Sequence, residues 1–368
     1  MEPCIVTNFA YGTGPYLRTT ELALAFNDEL ERRGHKRMKI VVPLVYGERQ
    51  KQVLAEEFGE HPEIIFDETL GALLKSVFYT GEKKYEESLR TWITKADEVS
   101  RAAHEYLKDK NVAVEINRSP RVRYDVAPSY STGFGYVADI LEHALAAGRS
   151  VVDVDPELLK AGIALADRIE GKQDLRCMAY PATFSSFQNY KPRYDGEVLV
   201  PPITDLPKAR VHEPMEDGLF VTITGIEGLE RLYAEARALG LKLYSNDTGA
   251  VAGAVKALPH VLGNPAIKLQ FARAGWGSVW LSMFTGVPVV VPQYDKTDDP
   301  EIYCNNKAVE ATGIGVVYRG QPLVEIMAQG DAVRAAQKKM RDAIVARWGT
   351  LSGNEVCAKL MADRFLAK

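Results

Sequence analysis

The sequence predicts an α/β protein of two domains, and three observations carry that expectation. The chain opens on strand, glycine loop, helix and strand, a βαβ unit that implies a parallel sheet. The same order restarts at Phe220, beyond a proline-rich stretch. The length, 368 residues, suits two domains at ~100–200 residues each. With 46% hydrophobic and 26% charged residues, either half can bury a core without disulfides or metals.

Taken in order, the first element is a short apolar strand, Cys4–Phe9, followed by the loop Tyr11-Gly12-Thr13-Gly14-Pro15. A helix runs from about Leu17 to Arg33, because Leu22, Phe26 and Leu30 recur on one face. Gly34 stands where a helix C-cap belongs, and Lys39–Val45 is the second strand. Glu48–Asp109 reads as mostly helical and charged. Val112–Ile116 is a strand ending at Asn117. Gly133-Phe134-Gly135 opens a helix through Leu145, and Val151–Val154 reads as another strand. Asp155-Pro156-Glu157 then has the order of N-cap, proline at the first position and acid in the first turn. Proline density rises from Pro181 to Pro214, with Pro201-Pro202 at its centre, and marks a linker region. Beyond it come a strand at Phe220–Thr224, a turn at Gly225 and a helix over Ile226–Leu239, with Leu229, Leu232, Tyr233, Ala236 and Leu239 on one face. Gly240 caps that helix and Leu241–Tyr244 is the next strand. A helix over Gly275–Phe284, a buried strand at Val287–Val291 and a long helical region from Leu323 complete the chain.

Composition narrows the function. A net charge of −4 lacks the basic excess of a nucleic-acid binder. Met1–Ala10 has neither the basic region nor the apolar stretch of a signal peptide. No apolar run approaches the ~20 residues needed to span a bilayer, so membrane association is not indicated. A cytoplasmic location is the expectation. Cys4, Cys177, Cys304 and Cys357 are scattered, without metal-binding spacing, and read as reduced thiols.

The residues Arg273-Ala274-Gly275-Trp276-Gly277-Ser278 precede the later helix, and Gly286-Val287-Pro288 follows it. A glycine turn there exposes backbone N–H groups at a helix N-terminus, which carries roughly half a positive charge and readily takes a diphosphate. Ser278 adds a hydroxyl and Arg273 a full charge. The alternative is a βαβ turn whose glycines serve packing alone.

The ungapped run from Arg273 to Pro288 resembles the donor-binding signature of nucleotide-sugar glycosyltransferases of the GT-B fold. That signature reads roughly His-Cys-Gly-Trp-Asn-Ser-Thr-Leu-Glu-Ser, three residues, Gly-Val-Pro. The hydrophobic strand, the proline, the acid and the asparagine that follow it in the family correspond to Val289–Val291, Pro292, Glu301 and Asn305. The chain departs from the pattern where Arg273 replaces the histidine, Leu281 the ribose-binding glutamate and Ile302 the glutamine. The opening strand, its Gly12-Thr13-Gly14 loop and the Arg33-Gly34-His35 turn also resemble the family, but no histidine stands between Tyr11 and Tyr16. A dinucleotide fingerprint fails here, with Leu17 at the third glycine and no acid after the second strand.

The resemblance implies two Rossmann-like domains facing a cleft. Residues 1–199 would take the acceptor, 200–345 the nucleotide sugar, and a helix in 346–368 would cross back to the first domain. It implies transfer of a sugar from a nucleotide diphosphate to an acceptor hydroxyl on a small molecule, glycan or lipid, with inversion and without metal or cofactor beyond the donor. Gly275, Trp276, Gly277 and Ser278 would cradle the diphosphate, with Thr224 and Gly225 opposite. Glu301 and Asn305 would reach the sugar, Arg273 would stabilise the leaving group, and Gly12, Thr13 and Gly14 would face the acceptor. Without a loop histidine, a carboxylate at the C-terminal edge of the first sheet is the expected base, and Glu115 is the candidate. Its alternative is an edge acid paired with Arg118 or Arg121. Asp153 and Asp155 form a D-x-D pair of the metal-binding kind, although Asp155 already serves as an N-cap. An epimerase of the same fold, needing several acids and a histidine near the sugar, and a non-catalytic nucleotide-sugar binder are the other readings.

Overall fold

The computed structural model describes residues 2–10, 12–77, 84–185, 191–206, 214–222 and 230–367. They form two parallel sheets with helices between the strands, as an alternating βα pattern requires. The first sheet begins with β1 (Cys4–Phe9), α1 (Thr13–Arg32), β2 (Lys39–Pro43), α2 (Glu48–Phe58), β3 (Ile64–Asp67), α3 (Glu68–Lys75) and α4 (Tyr85–Leu107). It continues with β4 (Val112–Arg118), β5 (Ser129–Gly133), α5 (Val137–Ala147), α6 (Pro156–Glu170), β6 (Leu175–Ala179) and β7 (Glu197–Val200). Its strand order is β3-β2-β1-β4-β5-β6-β7. The order reverses between β1 and β4, so their C-terminal ends flank the crevice where open α/β sheets bind ligands.

The second sheet contains β8 (Gly218–Val221), α7 (Glu230–Ala238), β9 (Lys242–Ser245), β10 (Val255–Lys256), β11 (Ile267–Phe271), α8 (Trp276–Thr285), β12 (Val289–Pro292), α9 (Pro300–Thr312) and β13 (Gly315–Tyr318). Its order, β10-β9-β8-β11-β12-β13, repeats the reversal, here between β8 and β11. The central strands are buried on both faces. All six residues of β1 and Val289–Val291 of β12 are buried, as parallel strands covered by helices must be.

The chain closes with α10 (Leu323–Ala328), α11 (Gly330–Trp348) and α12 (Gly353–Leu366). Gln337 of α11 donates to the Val287 and Ile314 carbonyls of the second domain at 3.1 and 3.0 Å. α12 lies against α1 instead. Phe365 meets Phe26 edge-on at 5.8 Å and Asp363 pairs with Arg33 at 2.6 Å. A Cβ on Gly353 would stand 2.3 Å from the Pro201 carbonyl oxygen, so this crossing requires glycine. Among the described residues no helix is long and apolar enough to cross a membrane.

Three expectations change. Val151–Val154 is a turn, not a strand. Val151 and Val152 donate to the Gly148 carbonyl, and Asp153 N–H donates to Lys296 of the second domain at 2.8 Å. The proline-rich stretch read as a linker contains β7, whose register runs Arg176↔Glu197 to Ala179↔Val200. β5 and β6 were not anticipated, because Ser-Tyr-Ser-Thr-Gly and Leu-Arg-Cys-Met-Ala lack apolar alternation.

Candidate active site

α8 opens at the C-terminal end of β11. Gly275 is its N-cap, in extended backbone, and no side chain caps the helix. The Ser278 and Val279 N–H groups turn back to the Gly275 carbonyl at 3.1 and 3.2 Å. Those of Trp276 and Gly277 meet no acceptor among the described residues, as expected of a first helical turn. A Cβ added to Gly275 or Gly277 would meet nothing within 4 Å. Packing within the chain therefore does not require these glycines, and each leaves open space beside a free donor.

The rest of α8 is anchored. The Trp276 indole is buried and donates to Asn305 Oδ1 at 2.7 Å and to Thr183 Oγ1 at 2.9 Å. Trp280 donates to the Pro181 carbonyl at 2.8 Å. Asn305 donates in turn to the Ala274 carbonyl at 2.7 Å and to Glu301 at 3.1 Å. Its amide is fully engaged, so Asn305 holds the Arg273–Trp276 turn in place and does not reach the cleft. Trp276 contributes backbone, not its ring.

Arg273 is half exposed beside the turn and is ion-paired with Asp298. Asp299 caps α9 by accepting from the Glu301 N–H at 2.9 Å. Burial raises the pKa of both Asp299 and Glu301, and for Glu301 the adjacent Asp299 charge adds to it.

The opposite wall belongs to the first domain. Gly12 has φ 115°, a conformation that favours glycine, and donates to the Tyr46 hydroxyl at 2.7 Å. Gly14 has open space where a Cβ would stand. Arg18 pairs with Glu21 at 2.9 Å. Arg118, the last residue of β4, is only 2% exposed, with its guanidinium 5.7 Å from the Phe134 ring and 5.8 Å from the Trp280 ring. The sole hydrogen bond of its guanidinium among the described residues is to the Ile203 carbonyl at 3.3 Å. Burial, with Arg18 nearby, lowers its pKa to about 10. Arg121 lies over Trp92 at 5.5 Å.

Together these walls enclose a cleft of about 460 Å³. Of the residues singled out in the sequence, Gly12, Gly14, Arg273, Gly275, Trp276, Gly277, Ser278 and Glu301 line it. Thr224 and Gly225 lie outside the described residues, and of Thr13 only the backbone is described. Thr222, at the end of β8, lines the cleft just before them.

Glu115 does not reach the cleft. In β4 its side chain alternates with that of Arg118 and lines a separate cavity of about 380 Å³ with Asn8 and Asn117. It accepts from the Val126 N–H at 3.1 Å and pairs with neither Arg118 nor Arg121. Burial pushes its pKa up to about 8. Asp153 pairs with Arg149 at 3.2 Å, and Asp155 caps α6 by accepting from the Glu157 N–H at 2.8 Å. Among the described residues no three histidines, cysteines or acids cluster as a metal site, and no histidine lines the cleft. That Arg118 and Arg121 line the cleft was not anticipated from the sequence. A cation at the end of a strand beside a switch point was the available signal.

No family model matches the chain, and no curated protein matches it in sequence. Solved structures do match in fold. A UDP-glucosyltransferase from Polygonum tinctorium, capable of glucosylating indoxyl, aligns at TM-score 0.63 with 12% identity, covering 100% of this chain and 99% of that one. A calicheamicin glycosyltransferase aligns at 0.62 with 16% identity and the same coverage. A UDP-glucose:anthocyanidin 3-O-glucosyltransferase in complex with UDP aligns at 0.62 with 11% identity and 100% coverage of both chains. The chain has their GT-B fold, two Rossmann-like domains facing a cleft.

Proposed function

We propose that the protein transfers a sugar from a nucleoside-diphosphate sugar to an acceptor hydroxyl. The observation that carries this reading is the start of α8, where two unpartnered N–H groups stand beside two glycines with open space in an interdomain cleft. The helix terminus and the Trp276 and Gly277 N–H groups hold the diphosphate, and Ser278 donates its hydroxyl. Arg273 meets the negative charge that grows as the glycosidic bond breaks. Charge neutralisation then comes from the chain itself, which supports a metal-independent reaction with no cofactor beyond the donor.

Glu301 takes the place assigned to Glu115. Asn305 holds one carboxylate oxygen, which leaves the other for a hydroxyl in the cleft. A buried carboxylate of raised pKa is suited to accept a proton near neutral pH. The acceptor enters along the Gly12, Arg18 and Arg118 wall of the first domain. Attack from that side, opposite the departing diphosphate, is a single displacement and inverts the anomeric centre. UDP in a solved relative supports trying uridine nucleotides first.

The test is the melting temperature with UDP, GDP, ADP and dTDP, followed by release of nucleoside diphosphate from the corresponding sugar donor. A ligand at ~100 times its Kd adds roughly 2.7 kcal/mol of stability. No shift with any nucleotide at millimolar concentration contradicts the proposal. Binding without release of sugar reduces the protein to a binder.

A further inference from the structure

Arg118 is a buried cation whose neighbouring carboxylates, Glu21 and Glu301, act on it only through space. No described carboxylate forms an ion pair with it, and one carbonyl at 3.3 Å occupies one of its five N–H donors. A desolvated guanidinium left unpaired is destabilising, and a strand end that only needed filling could carry an apolar residue. Arg118 instead stands at the end of β4, beside the sheet's reversal point with β1, and lines the cleft. The Phe134 and Trp280 rings lie 5.7 and 5.8 Å from its guanidinium, within cation–π range. Arg18, Arg121, Tyr85 and Trp92 also line that wall. Arg18 has Glu21 for a partner, whereas Arg121 donates to the Ser119 carbonyl of its own loop at 3.3 Å and rests on Trp92.

We infer that the acceptor is an anion, a hydroxylated small molecule whose carboxylate or phosphate binds Arg118 on the first-domain wall, with Arg121 beside it. This inference rests on the transfer reading. A planar fork with free donors matches two oxygens of a carboxylate or phosphate. The donor's diphosphate is already supplied by Arg273, Ser278 and the start of α8 in the second domain, and Arg118 belongs to the facing domain. Occupation by an oxyanion gives the buried charge the partner it lacks.

The experiment is calorimetric titration of inorganic phosphate and of 4-hydroxybenzoate into the full chain, with and without saturating UDP. Wild type, Arg118→Gln and Arg118→Lys are compared. With UDP in place, wild type binds at least one anion. Arg118→Gln weakens that binding by roughly thirtyfold or more, Arg118→Lys weakens it less, and both leave the UDP affinity unchanged. The anion that binds tells phosphate from carboxylate acceptors. Three results overturn the inference: no anion binding to UDP-loaded wild type, anion binding indifferent to Arg118→Gln, or an equal loss of UDP affinity, which would move Arg118 to the donor site. If Arg118→Gln fails to fold, Arg118→Lys is held to the same criteria. If UDP does not bind wild type, the nucleoside diphosphate that stabilises it most takes its place; if none binds, the transfer reading is contradicted and the titrations without nucleotide judge Arg118 alone.

Discussion

Gly277→Ala separates a glycine kept for packing from one kept for a ligand. The added methyl meets no atom within 4 Å, and the backbone there needs no left-handed conformation. In the unliganded protein the substitution is therefore free of strain. Alanine in place of a helical glycine favours the helix by up to about 1 kcal/mol, so the melting temperature should stay level or rise by roughly 2–4 °C. The ligand meets a different surface. The methyl fills the space beside the free N–H groups of Trp276 and Gly277, and a phosphate oxygen loses at least one charge-assisted hydrogen bond. That loss costs about 1.5–3 kcal/mol, or roughly ten- to 150-fold in Kd. The assay is calorimetric titration with UDP, or with whichever nucleoside diphosphate stabilises wild type most, run alongside thermal melting. A variant that melts like wild type and binds the nucleotide equally well refutes the diphosphate seat. One that melts lower returns Gly277 to a packing role.

Arg273→Ala should lower turnover by about a hundredfold, more than it raises the donor KM. Arg273→Lys should recover only part, and melting should stay near wild type, because the exposed pair with Asp298 is worth at most about 1 kcal/mol. Activity should survive EDTA; full loss restored by manganese or magnesium would instead favour the Asp153 and Asp155 pair. Because the Glu301 pKa is raised and its ionised form accepts the proton, kcat/KM should climb with pH above the ordinary carboxylate range. Glu301→Gln should abolish that limb, and a variant with an unchanged profile would remove Glu301 from proton transfer. Glu115 titrates near 8 in the fold and at an ordinary value when unfolded, so the native state holds the extra proton between them. Stability should fall as pH rises through that window, by at most about 1.4 kcal/mol per unit from this group. Glu115→Gln should flatten that slope without slowing turnover, as urea unfolding at several pH values would show.

The strands and turns with unmixed signals were legible. β1 and the β12 region are continuous apolar runs, and the glycine turn before α8 sits at a helix start with its cation beside it. What escaped was polar. Ser129 of β5 is hydrogen-bonded with Asn117 of the neighbouring strand and with Gln173, so a polar residue stands where a sequence reading looks for an apolar face. Val151–Val154 has the composition of a strand, yet its backbone is claimed by a turn and by Lys296 of the other domain, a contact no local pattern encodes. Within the site, the motif located the glycine turn before α8 but not the direction of its side chains. Trp276 and Asn305 turn inward to bond each other. Glu115 and Arg118 are three residues apart on one strand and face opposite sides of the sheet, which is why the acid expected in the cleft is absent from it and an arginine is there.

The most direct test is a crystal structure of the chain with the nucleoside diphosphate that stabilises it most. The diphosphate should lie at the start of α8, its oxygens within hydrogen-bonding distance of the Trp276 and Gly277 N–H groups and the Ser278 hydroxyl, with Arg273 turned from Asp298 toward it. A nucleotide bound elsewhere, or an α8 terminus left empty at saturating ligand, would contradict this placement.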